Sequence, residues 1–170
     1  MKKVHALLFA AVTVLTAAQP ATCFGQSDAT ILKVSGRIGR TNSPDGKSYT
    51  FSIAELQKLG DVTIKATTRY TRTADFTGPR LRDILQVVQA APDATGIDVV
   101  ALDGYQQTVP ITDLKKWDVI LAHTQGGKRL TVATLGPLWI MYPIDNYPAE
   151  LNNNEITSKL VWSLTGIVVK

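Results

Sequence analysis

Apolar and polar positions alternate in "ILKVSGRI", residues 31–38, which predicts a half-buried strand closed by the turn-rich "TNSPDGKS". The period then changes. "SIAE" sets Ser52 three residues before Glu55, the spacing at which each side chain satisfies a free backbone amide at a helix start. A short helix is expected there, with Ile53, Leu56 and Leu59 inward and Gly60 as its stop. "DVTIKA" predicts a second strand. The next helix is expected to hold Pro79 in its first turn, because Leu81, Ile84, Leu85 and Val88 follow the i, i+3, i+4, i+7 stripe.

"IDVVALDGYQQTVPI" predicts two strands joined at the "DG" turn, and Thr112 is expected to cap a one-turn helix running to Trp117. "DVILAHT" and "RLTVATL" flank a "QGGK" turn, "PLWIMY" is a further apolar strand, and "SKLVWSLTGIVVK" closes the chain with β-branched residues. Only "PIDNYPAELNNNEIT", residues 143–157, lacks a period; loops of that length are often binding elements. The pattern as a whole predicts an α+β domain of mixed β-sheets with a few short helices, with no repeat, linker or low-complexity segment.

The N-terminus changes the picture of where the protein works. "MKK" precedes an apolar run of thirteen residues, Ala6 to Ala18, too short for a membrane span and right for a signal peptide. Residues 1–25 are therefore expected to be removed, with cleavage possible up to residue 29, leaving one domain over residues 26–170 in the periplasm. Lipidation at Cys23 is not expected, since "PATC" lacks a branched apolar residue three positions before the cysteine.

Loss of Lys2 and Lys3 lowers the formal charge from +4 to +2, and the remaining basic residues are dispersed from Lys33 to Lys170. A nucleic-acid partner, which needs a clustered basic face, is not expected. Cys23 is the only cysteine, so the mature chain has neither a disulfide nor a thiolate to bind metal or attack a substrate.

Candidate chemistry is sparse. His123 is the only histidine after the signal segment, and its place at the end of "DVILAH" suits a core or strand-edge residue better than an acid-base catalyst. No spacing selects a Ser-His-Asp triad, and no metal-ligand set stands out, so no catalytic and no metal-binding residue is assigned. Trp117 is expected to cover a hydrophobic edge. Trp139 and Trp162 each sit in a predicted strand, where core and pocket positions are equally consistent with their neighbours. The stretch "TTRYTRT", residues 67–73, gathers hydroxyls around Tyr70 with Arg69 and Arg72 as planar donors; together with the indoles these suit a flat heteroaromatic ligand.

"DFTGPRLRDILQVV", "VVALDGYQQTVPITDL", "GPLWIMYPID" and "SKLVWSLTGIVV" occur in the order and spacing of the sulfite-oxidase-type molybdopterin-binding domain, which the chain resembles over residues 31–170. The resemblance implies an α+β fold around a pterin pocket. Two departures bear on chemistry. In the enzymes a cysteine between the second strand and the "tG" helix start ligates molybdenum, whereas that interval here is "ATTRYTRTADF". The family's lysine before the last tryptophan is Val161 here, which removes a contact to the cofactor's phosphate end.

The chain is similar to exported, cysteine-free members of this fold that read "T-x-W-T" in the first motif, where Thr68, Arg69, Tyr70 and Thr71 stand here. That resemblance implies a periplasmic, non-enzymatic protein. It would bind a molybdenum-free pterin and inform the extracytoplasmic domain of a membrane diguanylate cyclase or phosphodiesterase. The ligand-binding residues it implies are Thr68, Arg69, Tyr70, Thr71 and Arg72, then Trp139, Tyr142 and Asp145 of "GPLWIMYPID", and Trp162. The competing readings are a molybdopterin-dependent oxidoreductase with atypical metal ligation and a structural adaptor that binds no pterin.

Overall fold

Strand β1 (Thr30–Gly36) is the hinge of the architecture: it pairs antiparallel with β2 (Ser48–Ser52) on one side and parallel with the chain's last strand on the other. The computed structural model describes residues 29–170, and the expected signal peptide lies outside them. After β2 come helix α1 (Ile53–Gln57), strands β3 (Asp61–Ala66) and β4 (Ala74–Pro79), and helix α2 (Leu81–Val87). A hairpin of β5 (Gly96–Ala101) and β6 (Gln106–Pro110) leads to α3 (Ile111–Lys116), then to β7 (Ile120–Ala122), β8 (Thr124–Gln125) and β9 (Lys128–Arg129). Strand β10 (Trp139–Met141), helices α4 (Pro148–Leu151) and α5 (Asn154–Lys159), and β11 (Leu164–Val169) complete the chain.

The strands form a five-stranded sheet ordered β2-β1-β11-β5-β6, a four-stranded sheet ordered β3-β4-β8-β9, and a β10-β7 pair. This is the expected α+β arrangement of mixed sheets and short helices. The inward faces of β1, β5 and β11 (Leu32, Val34, Ile97, Val99, Ile167) meet Leu81 and Ile84 of α2 and the wholly buried β7 and β10 in one core. Apolar burial of this kind is the main force holding the layers together.

Local signals explain most boundaries. The capping box at α1 forms as the spacing predicts: the Ser52 N–H donates to Glu55 Oε2 at 2.7 Å and the Glu55 N–H to Ser52 Oγ at 3.3 Å. The Ser52 backbone donor holds the Glu55 carboxyl below its ordinary pKa. Ser52→Ala is expected to cost about 1 kcal/mol in urea unfolding; no change in the midpoint would mean that packing of Leu56 alone sets the helix.

Five expectations are corrected. Pro79 closes strand β4 instead of opening a helix: β3 and β4 pair in continuous register from Asp61↔Pro79 to Ala66↔Ala74, and extended Arg80 precedes α2. Gly78 explains that choice, because a Cβ there would lie 2.0 Å from the Leu121 carbonyl oxygen; only glycine lets β4 cross β7 so closely. Helix α3 begins at Ile111 after extended Pro110, without a Thr112 cap. "RLTVATL" is strand only at Arg129; after the Leu130 N–H donates to the His123 carbonyl at 2.9 Å, Thr131 and Thr134 close a 3-10 turn by reciprocal side-chain bonds. Trp162 precedes β11 and lies outside any strand. The aperiodic stretch from Pro143 folds into a 3-10 turn and two short helices, the second capped by Asn153, whose side chain accepts the Ile156 N–H at 2.9 Å.

Candidate ligand-binding site

The hairpin loop between β3 and β4 carries the unusual "TTRYTRT" stretch, and its hydroxyls turn out to build the loop itself. Thr68 Oγ1 accepts the N–H groups of Tyr70 at 3.1 Å and Thr71 at 3.0 Å, while the Thr68 N–H donates to the Thr71 carbonyl at 3.2 Å. The Thr67 and Thr73 hydroxyls meet at 2.7 Å across the loop's base. Asp145 pins that base, its carboxylate accepting the Thr67 N–H at 2.8 Å and hydroxyl at 3.0 Å. Arg69 reaches Asn154 Oδ1 at 3.3 Å. Serine and threonine hydroxyls compete for nearby backbone amides in this way wherever the chain turns.

A loop so pinned delivers one aromatic ring. Tyr70, 42% exposed, meets Trp162 edge-on with ring centroids 4.7 Å apart and planes at 68°. Behind Trp162 stands Trp139 at 6.3 Å and 83°, and behind that Phe76 at 5.5 Å and 83°. Edge-to-face contacts of this geometry are favoured by the ring quadrupoles. The row runs from the surface to the core. Trp139 is fully buried, and its indole N–H donates to the Leu160 carbonyl at 3.1 Å, which fixes the backbone two residues before Trp162.

Tyr70 and Trp162 line a cavity of about 250 Å³ together with Asp103 and Tyr105 of the β5-β6 turn, Thr157 and Ser158 of α5, and the apolar Ala101, Leu160 and Val161. On the other side of the loop lies a more polar recess of about 350 Å³ that touches Thr68, Arg69 and Asp145 and shares Thr157 and Leu160 with the first. The aromatic cavity is the better ring site, because flat ligands are held chiefly by apolar walls with a few convergent polar groups.

The nine residues implied by the resemblance therefore separate. Tyr70 and Trp162 line the aromatic cavity; Thr68, Arg69 and Asp145 line its neighbour; Thr71 and Arg72 lie in the loop outside both linings. Trp139 and Tyr142 are fully buried, which corrects their expected place on the pocket surface: both are held inside by polar bonds that an apolar core residue would not need. Asp103, Tyr105, Thr157 and Ser158 escaped the residue-level reading, although the "DGY" of the hairpin was a visible turn signal.

Helix α5 is tied to α3 by a buried cation. Lys159 Nζ donates to Asp113 Oδ2 at 2.9 Å and Glu155 Oε1 at 2.7 Å, and the Tyr142 hydroxyl donates to the same Asp113 oxygen at 2.8 Å. Burial alone would lower the Lys159 pKa, but the bonds to Glu155 and Asp113 outweigh it and the net shift is upward. Burial first, then the Asp113 charge, pushes the Tyr142 phenol well above its ordinary range, so it remains a neutral donor.

His123 is buried at the end of β7, its Nε2 3.0 Å from Asp61 Oδ1, in keeping with a strand-edge histidine. Trp117 packs on Tyr147 at 4.8 Å with the Lys116 ammonium 4.4 Å over its ring. Among the described residues no group of three or more His, Cys, Asp or Glu side chains is arranged to hold a metal ion, and no helix is long and apolar enough to cross a membrane.

The family model described as oxidoreductase molybdopterin binding domain matches residues 32–145. Among solved structures, the sulfane dehydrogenase SoxCD from Paracoccus pantotrophus is similar, with a TM-score of 0.60 and 13% identity over 85% of this chain. The chain spans 39% of the length of that SoxCD chain, and the likeness is one of fold. No curated protein sequence matches it.

Proposed function

The chain belongs to the oxidoreductase molybdopterin binding domain family, and we propose that within this family it is a non-enzymatic pterin-binding protein whose ring site is the cavity that Tyr70 and Trp162 line together. One observation carries the reading: in the loop where the sequence resemblance places the family's metal-binding thiolate, Tyr70 stands and meets Trp162 at a cavity wall. The full family cofactor fits these residues poorly. The chain has no cysteine after Cys23, and among the described residues neither arginine nor lysine lines the cavity to receive a phosphate. A bare pterin ring fits better, since aromatic side chains together with hydroxyl and carboxylate groups match its flat face and its polar edge.

The periplasmic location and the membrane signalling partner, a diguanylate cyclase or phosphodiesterase, are part of the same proposal and rest on the sequence resemblance. A ligand shifts such a partnership only if the partner distinguishes loaded from empty protein. Tyr70, Leu102 and Tyr105, all exposed, belong to the loop and the hairpin turn that border the cavity, so occupancy would touch residues a partner can reach.

Titration with tetrahydropterin, followed by tryptophan emission, tests the site. Binding should quench emission, and Tyr70→Ala should weaken affinity by about 1–3 kcal/mol if the ring stacks as bases do on aromatic side chains. Unchanged affinity in a folded Tyr70→Ala variant would remove the loop from the site. The family itself favours a second reading, a molybdopterin oxidoreductase with atypical metal ligation. Stoichiometric molybdenum in protein purified from its native compartment would establish that reading and sink the non-enzymatic one. Lack of pterin affinity together with lack of metal would leave the adaptor.

A further inference from the structure

We propose that Asp103, at the tip of the β5-β6 hairpin, determines the specificity of the Tyr70–Trp162 cavity by accepting paired N–H donors from the 2-amino-4-oxo edge of a pterin. The inference rests on the pterin reading and adds to it the residue that would tell a pterin from other flat bicyclic rings.

Among the described residues Asp103 is the only formally charged side chain in the cavity lining. The two α5 hydroxyls in the lining have their protons committed to helix backbone: Thr157 Oγ1 donates to the Asn153 carbonyl at 2.8 Å and Ser158 Oγ to the Glu155 carbonyl at 2.7 Å. What these groups still offer a ligand is acceptor capacity. Ser158 Oγ already accepts from Gln107 Nε2 at 3.4 Å, and the phenols of Tyr70 and Tyr105 add groups that can donate, so the Asp103 carboxylate is the feature that favours a ring with paired donors on one edge and no negative charge.

The carboxylate is also held in place. Its Oδ1 accepts the Tyr105 N–H at 3.0 Å, closing a turn in which Gly104 adopts φ +86°, and Oδ2 takes no hydrogen bond from the described residues. The Leu102 N–H donates to the Ser163 carbonyl at 2.8 Å, which ties the hairpin tip to the residue following Trp162. The acceptor and the aromatic wall thus belong to one framework, and a ring in the cavity they both line has the exposed Asp103 carboxylate within its lining as an acceptor. A carboxylate offers about four lone-pair sites, so the bond to Tyr105 leaves room for two ligand donors. Pterin carries two such donors side by side, its ring N3–H and its 2-amino group. Lumazine, of the same shape, replaces the amino group with a carbonyl, and that oxygen would face the carboxylate.

Calorimetric titration of the full mature chain with pterin and with lumazine, for wild type, Asp103→Asn and, as a matched loss of charge outside the cavity, Asp75→Asn, tests the assignment. Asparagine keeps the acceptor for the Tyr105 N–H, so the turn should survive; circular dichroism and the unfolding midpoint check that it does. Wild type is expected to prefer pterin over lumazine by at least about 10-fold, the order expected of hydrogen bonds to a charged acceptor. Asp103→Asn is expected to lose most of that preference, with Asp75→Asn retaining it. Pterin binding with an unchanged pterin-to-lumazine ratio in a folded Asp103→Asn variant overturns the role of Asp103 and leaves the pterin site standing. Wild type that binds neither ring overturns the pterin reading and, with it, this assignment.

Discussion

Lys159→Met should lower the unfolding free energy by about 3–5 kcal/mol, the usual cost of removing one member of a buried ion pair. The Lys159 side chain is 5% exposed and that of its partner Asp113 is 18% exposed, so the carboxylate stranded by the substitution has little access to water. Methionine keeps most of the aliphatic stem, which confines the loss to the charge. The Tyr142 hydroxyl would remain as a donor to Asp113, and one neutral donor does not replace an ammonium. Glu155 is largely exposed and contributes little to the total. Converting Asp113 as well, in Lys159→Met/Asp113→Leu, should recover much of the loss, because no charge is then left unpaired.

The pH dependence has a definite sign. The folded-state pKa of Lys159 lies above its ordinary value, so its contribution is complete below the unfolded pKa of about 10.4 and is lost only as pH rises through the folded value. Between neutral pH and pH 9 this cation should therefore impart no slope to stability. Urea midpoints for the single and double variants measure the effect; a single-variant loss below about 1 kcal/mol would mean that solvent screens the pair.

Lys159 also shows what a sequence conceals. "SKLVW" gives no sign that its lysine points into the protein, because the partner, Asp113, lies 46 positions away on another helix. Signals confined to a few residues were legible: the Ser52–Glu55 box and the Asp103–Gly104 turn act within one turn of chain, and the α2 stripe within two. Pro79 misled for the same reason. Its fixed φ suits a helix start, and only the distant β3 partner and the crossing of Gly78 over Leu121 draw residues 74–79 into a strand. The aromatic cavity was half legible. Tyr70 stood out by composition and Trp162 by resemblance, but nothing local could show that Trp139 would be sealed behind Trp162 or that the hairpin tip would bring Asp103 into the same lining.

That arrangement separates two tryptophans which the sequence treats alike. Trp139→Ala is expected to cost about 3–5 kcal/mol of stability, since it removes a fully buried indole from contact with Phe76 and Trp162 and leaves the Leu160 carbonyl without its donor. A loss of that size is a large fraction of the stability of an ordinary domain, so Trp139→Phe is the practical variant for binding work. Phenylalanine fills part of the space but cannot donate to Leu160. Its effect on a ligand must therefore pass through the position of Trp162. Trp162→Phe, by contrast, changes the cavity wall itself and should lower both pterin affinity and the quenching of tryptophan emission while leaving the unfolding midpoint nearer to wild type. The two variants should fall in opposite corners of a plot of midpoint against affinity, Trp139→Phe losing mainly stability and Trp162→Phe mainly binding. If Trp139→Phe loses affinity as strongly as Trp162→Phe in molecules shown to be folded, the ligand reaches deeper than the described cavity and the ring site belongs between the two indoles.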